Sequence, residues 1–207
     1  MNCKAAKAIM ILLASFPGLS HAQDFSADVA YSAVKPAANS EKASSPSHTS
    51  KIFVSKEKIR LENRGVTGTV LLVDEGENTT FALFPSQKKY QPLANAPAEY
   101  FRVNDPENAC ADWQRASVQK IVCEKAGHET VNGRQAVKYT NKTTLAEPEI
   151  VAVWIDSTLH FVIKWQSADA GAELQDIKEG PQTADLFVLP PSYDLLQPLK
   201  KGPKSKK

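Results

Sequence analysis

The chain has 207 residues and a net charge of +2, from 25 basic and 23 acidic side chains. Two lysines near the start and five in the closing KKGPKSKK, with no acid in either stretch, leave the body between them at about −5. A mildly acidic body without clustered arginine offers no electrostatic footprint for nucleic acid.

The first 22 residues are built like a secretory leader. Lys4 and Lys7 supply the positive start, AIMILLASFPGL is apolar, and Ser20-His21-Ala22 offers small residues for cleavage after Ala22. The apolar run is about a dozen residues, short of the roughly 20 a helix needs to cross a bilayer. Gln23 follows the cleavage position and Cys3 lies within the leader, so no lipid-anchored cysteine is expected. The expected product is a periplasmic chain with one β domain over 23–199, enough to bury a core without metal staples.

Phe25, Ala27, Val29, Tyr31 and Ala33 alternate with mostly polar neighbours, the period-2 pattern of a half-buried strand. From 35 to 50 the chain reads KPAANSEKASSPSHTS, without apolar period, and is expected to be a flexible loop. KIFVS and KIRLEN predict two short strands about a turn at Ser55-Lys56-Glu57; TVLLVD, TTFALF and KKYQPL continue a meander of hairpins. The alternation stops between Leu93 and Val118, where AEYFRV and ADWQRAS have helical composition, predicting one or two short helices about Cys110.

With the leader removed, two cysteines remain, Cys110 and Cys123. An even count in an oxidising compartment predicts a disulfide tying the irregular segment to the strand QKIVCEK. Asn132-Gly133, between HETV and RQAVKYT, is the strongest hairpin signal, since both positions tolerate positive φ. EIVAVWID and LHFVIKWQ follow, joined at Ser157-Thr158, then AELQDIKEG and ADLFVLP. EIVAVWID is apolar on both faces and reads as a central strand covered on each side.

No catalytic residue emerges. His128-Glu129 starts like a zinc-protease motif, but Asn132 stands where the second His is required and the segment enters a hairpin. A Gly-x-Ser-x-Gly elbow and a nucleotide-binding glycine pattern are both lacking, and no cofactor or metal is expected.

The run VAVWIDSTLHFVIKW followed by AELQDIKEGPQTADLFVLPPSYDLL, together with FSADV, KIFVSKEKIRLE and LFPSQKKY, resembles the periplasmic lipoprotein-carrier-like (LolA/LolB-like) superfamily. Lys56-Glu57-Lys58 stands where lipoprotein carriers have Arg-Pro, which aligns the chain with the superfamily's uncharacterised branch. The resemblance implies a mainly β fold: a curved, incomplete antiparallel barrel with one or two short helices covering the open side, around an apolar cavity for acyl chains. Ile59, Leu61, Phe81, Leu83 and Trp154 are the candidates for the walls of such a pocket, although a filled core would need the same residues.

Two readings follow. In the first the protein holds a lipid or acyl chain on a concave apolar face, without catalysis. In the second it is an envelope scaffold or interaction domain with a filled core. In either, the tail 200–207 is expected to be disordered and to touch anionic membrane surfaces weakly.

Overall fold

The structure, a computed structural model, describes residues 24–33, 50–63, 68–94, 101–116, 122–141, 151–168 and 170–196. The segments expected to be a leader (1–22), a loop (35–49) and a tail (200–207) lie outside the described residues. Ser50, expected to end the loop, instead opens a strand, buried beside Val29.

The described residues form one sheet of twelve strands. They are β1 (Phe25–Ala33), β2 (Ser50–Ser55), β3 (Lys58–Asn63), β4 (Thr69–Asp74), β5 (Thr79–Phe84), β6 (Lys89–Pro92), β7 (Cys123–Val131), β8 (Arg134–Asn141), β9 (Ala152–Asp156), β10 (Val162–Gln166), β11 (Ala170–Glu179) and β12 (Asp194–Leu195). Their order is β12-β6-β5-β4-β3-β2-β1-β11-β10-β9-β8-β7. Two meanders, β2 to β6 and β7 to β11, are joined by β1, which pairs antiparallel with β2 on one side and β11 on the other. Only the contact of β12 with β6 is parallel among these pairs. The sheet is a curved, incomplete barrel that does not close.

Local sequence sets the hairpins. Asn132 and Gly133 have φ of 48° and 80°, as a two-residue turn of type I′ requires, and β7 and β8 pair directly from it. Lys56 reverses the chain between β2 and β3 with φ 49°. Of QKIVCEK, residues 119–121 lie outside the described residues; its end, Cys123 to Lys125, and HETV belong to one strand, β7, whose register shifts between Lys125 and Gly127.

Registers carry one apolar face across the sheet. Leu61 stands beside Ile52 and Leu71, Ala27 beside Ile52, and Val29 beside Leu174. Ala172 stands beside Trp165, Trp165 beside Val153, and Val153 beside Tyr139. This inner face holds Phe25, Val54 and Ile59 in one cluster and Val137, Tyr139, Ile155 and Val162 in another, with Phe101 and Trp165 touching both. Burying each such large side chain is worth about 1.5–3 kcal/mol. The first strand keeps its expected alternation through Val29; Tyr31 breaks it, at 55% exposure.

A single α-helix among the described residues, α1 (Ala109–Ala116), covers the inner face. Ala109 and Trp113, four residues apart on one side of the helix, join the second cluster. Trp113 meets Tyr139 edge-to-face at 5.5 Å. The Cys110–Cys123 disulfide ties α1 to the start of β7, with Cα atoms 5.9 Å apart.

Two expected elements differ. AEYFRV is not helical where described: Phe101–Val103 runs extended, with Arg102 bridging antiparallel to Phe161. Backbone bonds from Val103 N to His160 O (3.0 Å) and from Val162 N to Phe101 O (2.8 Å) give this segment a ladder partner that helix propensity cannot match. ADLFVLP is not a strand but a 3-10 turn over Ala184–Phe187 and irregular chain beyond. Its apolar run lacks alternation, and Pro181, Pro190 and Pro191 cannot donate to a ladder.

Candidate ligand-binding surfaces

The five candidate wall residues do not share one wall. Ile59 and Leu61 face inward: Ile59 is 3% exposed, and Leu61 packs against the same cluster. Phe81 and Leu83 alternate onto the opposite, outer face, where Leu83 clusters with Val70 and Leu72, and Phe81 and Tyr90 lean on them. Trp154 is contiguous with the inner cluster, yet its register partners are Lys138 and Lys164, which place its ring on the face opposite Val153 and Ile155. Their ammonium groups sit 4.8 and 5.0 Å from its ring, and its Nε1 donates to Glu129 at 2.6 Å. Hence β9 is covered on both faces, as its composition predicts, by α1 on one and by this polar cage on the other.

The inner face is closed in two places. At one, α1 is held by the disulfide and by Tyr139, whose hydroxyl donates to Pro106 O (2.9 Å) and accepts from Ala109 N (3.2 Å). At the other, the extended strap Phe101–Val103 lies over Phe161. Phe101 stacks on that ring at 5.9 Å between centroids, while Phe161 meets Phe25 edge-to-face at 5.1 Å. Phe25, Ile59, Phe161 and Ile163 are all nearly inaccessible.

Arg102 on the strap reaches the turn between β4 and β5. Its Nε lies 2.9 Å from Glu75 Oε2, and both side chains are about 85% buried. The approach is off the N–H direction, so Arg102 Nε and Nη2 and Glu75 Oε1 are left without hydrogen bonds. Loss of solvent pushes the Glu75 carboxyl up to about 7, more than Arg102 lowers it; burial likewise moves the Arg102 guanidinium down. Composition gave no sign of this pair, because its partners are 27 positions apart and neither belongs to a motif.

On the outer face, the chain around Phe187 and Leu189 roofs a cleft of about 70 Å³ whose lining includes Ile59, Leu72, Val73 and Phe81. Sites for drug-sized ligands usually span about 300–1,000 Å³. Arg60 Nη1 donates to Leu186 O at 3.0 Å and helps hold this roof.

His128 and Glu129, which do not complete a zinc-protease motif in the sequence, make polar contacts on the surface. His128 Nε2 lies 2.9 Å from Glu107, and Glu129 is held down in pKa by the Lys138 ammonium and the Trp154 N–H. No group of three or more metal-ligating side chains exists among the described residues.

No known protein family and no curated protein matches this chain. Its fold is similar to that of an uncharacterized conserved protein from Thermus thermophilus, over 86% of this chain and 91% of that one, at 9% identity and a TM-score of 0.52. It is also similar to a LolA superfamily protein from Nitrosomonas europaea, over 84% and 91% of the two chains, at 12% identity and a TM-score of 0.34. A third match is the Pseudomonas aeruginosa MucA/MucB complex, at 14% identity and a TM-score of 0.45; 82% of this chain covers 56% of that one.

Proposed function

We propose that this protein is a non-catalytic binding protein of the cell envelope that meets a protein partner on its exterior, with its interior serving as a filled core. The packed inner face carries this reading. Phe25, Ile59, Phe161 and Ile163 fill it, and α1 and the strap roof it, so an acyl chain would have to displace packed side chains. The sheet ends at β7 and β12 without closing, which is compatible with partner contact at its margins. Export to the periplasm rests on the leader, and weak contact with anionic membrane on the five lysines of 200–207.

A second reading is favoured by the outer cleft under Phe187 and Leu189. Phe81 lines it and Leu83 belongs to the apolar layer beside it, and a displaced roof would offer an acyl chain an apolar floor. The test titrates delipidated mature protein with a fluorescent fatty acid and surveys natively extracted protein for acyl chains by mass spectrometry. No saturable binding and no copurified lipid is the expected result. Saturable binding lost in Phe81→Gln would overturn the first reading and leave the second.

A further inference from the structure

We propose that the Glu75–Arg102 pair is a proton-sensitive latch: it holds the strap Phe101–Val103 shut over the inner face while Glu75 is neutral and loosens when Glu75 ionises. The inference stands apart from the choice between a protein and a lipid partner.

The strap is the part of the cover that reaches the first meander. Helix α1 is fixed by the disulfide and by both hydrogen bonds of the Tyr139 hydroxyl. The strap has two backbone hydrogen bonds to 160–162, the stacking of Phe101, Val103 buried beside Ala109 and Trp113 of α1, and Arg102, whose guanidinium lies 5.8 Å from the Phe161 ring; just beyond it, Asn104 N donates to Asp112 of α1 at 2.7 Å. Arg102 is the side chain that reaches across to the turn between β4 and β5, joining the strap to the first meander. Three buried polar atoms of the pair lack hydrogen bonds, so attraction within it only partly offsets the cost of burying two charges.

The surroundings add negative charge. Glu57 in the β2–β3 turn and Asp74 at the end of β4 act on Glu75, and Asp24 before β1 acts on Arg102. Lys58 engages Asp74 at 2.6 Å, and Lys56 donates its backbone N–H to Asp24. His160 also touches the chain beyond the strap, its Nδ1 2.9 Å from Asn104 O.

The sign follows from linkage. Glu75 binds its proton more tightly when buried than in water, so proton binding favours the closed strap. Below the ordinary carboxylate range the strap is fully favoured, and that advantage is lost as pH rises through about 7. Between about pH 6 and about pH 8 the closed-to-open ratio falls about tenfold.

The amides of Val103 and Val162 report closure directly, because each donates one of the two strap bonds. Their exchange in the oxidised mature protein is followed residue by residue by NMR, corrected for intrinsic rates. Protection at both should fall about tenfold over that range, while amides of the β7–β8 ladder hold. Glu75→Gln should hold strap protection constant, and His160→Asn should leave the wild-type slope in place. A flat wild-type profile would overturn the latch, as would a slope that persists in Glu75→Gln, vanishes in His160→Asn, or appears equally in the β7–β8 ladder. The wild-type profile alone decides the matter if a variant does not fold.

Discussion

Arg134, the first residue of β8, grips Asp156, the last residue of β9, through both Nε and Nη2, and its Nη1 reaches Glu179 of β11 at 2.7 Å. Asp156 is 1% exposed, and its Oδ1 also accepts the N–H groups of Thr158 (2.8 Å) and Leu159 (2.7 Å). Asp156 therefore caps the β9–β10 turn, and Arg134 ties β8, β9 and β11 together.

Arg134→Ala leaves a buried carboxylate without its cation. A loss of about 3–5 kcal/mol is expected, read from the urea midpoint at neutral pH. A change below about 1 kcal/mol would mean that the two backbone donors suffice for Asp156.

Reduction of Cys110–Cys123 should release a loop of about 14 residues worth about 3 kcal/mol of stability. The oxidised mature protein, denatured without reductant, should show no titratable thiol; two thiols would contradict the bond.

Leu61→Gln and Leu83→Gln probe the two faces. Leu83 is 1% exposed in the outer cluster, so its replacement leaves a buried amide and should cost about 2–4 kcal/mol. Leu61 is only partly buried at the rim of the inner cluster and should cost less. Urea unfolding of both variants ranks them, and the reverse order would refute the assignment of faces.

Stability itself should carry the signature of Glu75. Its folded-state pKa is raised, so its contribution is fully present below the ordinary carboxylate range and disappears as pH rises through about 7. Relative to wild type, Glu75→Gln should therefore gain unfolding midpoint from about pH 5 to about pH 7 and level off by about pH 8. A difference that stays constant, or shrinks, would show that Arg102 outweighs desolvation.

Deleting 200–207 should reduce sedimentation of the mature protein with anionic vesicles at low salt, each lysine near the surface being worth about 1 kcal/mol. Equal sedimentation of the two forms would remove the tail from membrane contact.

Short-range signals in the sequence determined the hairpins and the disulfide. Alternation placed β2 to β5, Asn132-Gly133 fixed the β7–β8 turn, and Cys110 and Cys123 were expected to pair, as they do. The resemblance of the closing third to lipoprotein carriers likewise implied an open, curved sheet with a small helical cover. Tertiary structure alone decided that β1 bridges the two meanders, because pairing between β1 and β11 joins residues far apart in sequence. It also decided which apolar residues face one another. A period of two says that Ile59 and Leu61 share a face, and that Phe81 and Leu83 share one, but at β3 to β5 both faces of the sheet carry apolar clusters. Nothing local therefore distinguishes inward from outward. The extended strap has the same origin: Phe101–Val103 gives up its helical composition for a backbone partner at 160–162 and an acidic partner at Glu75 that only the fold brings near.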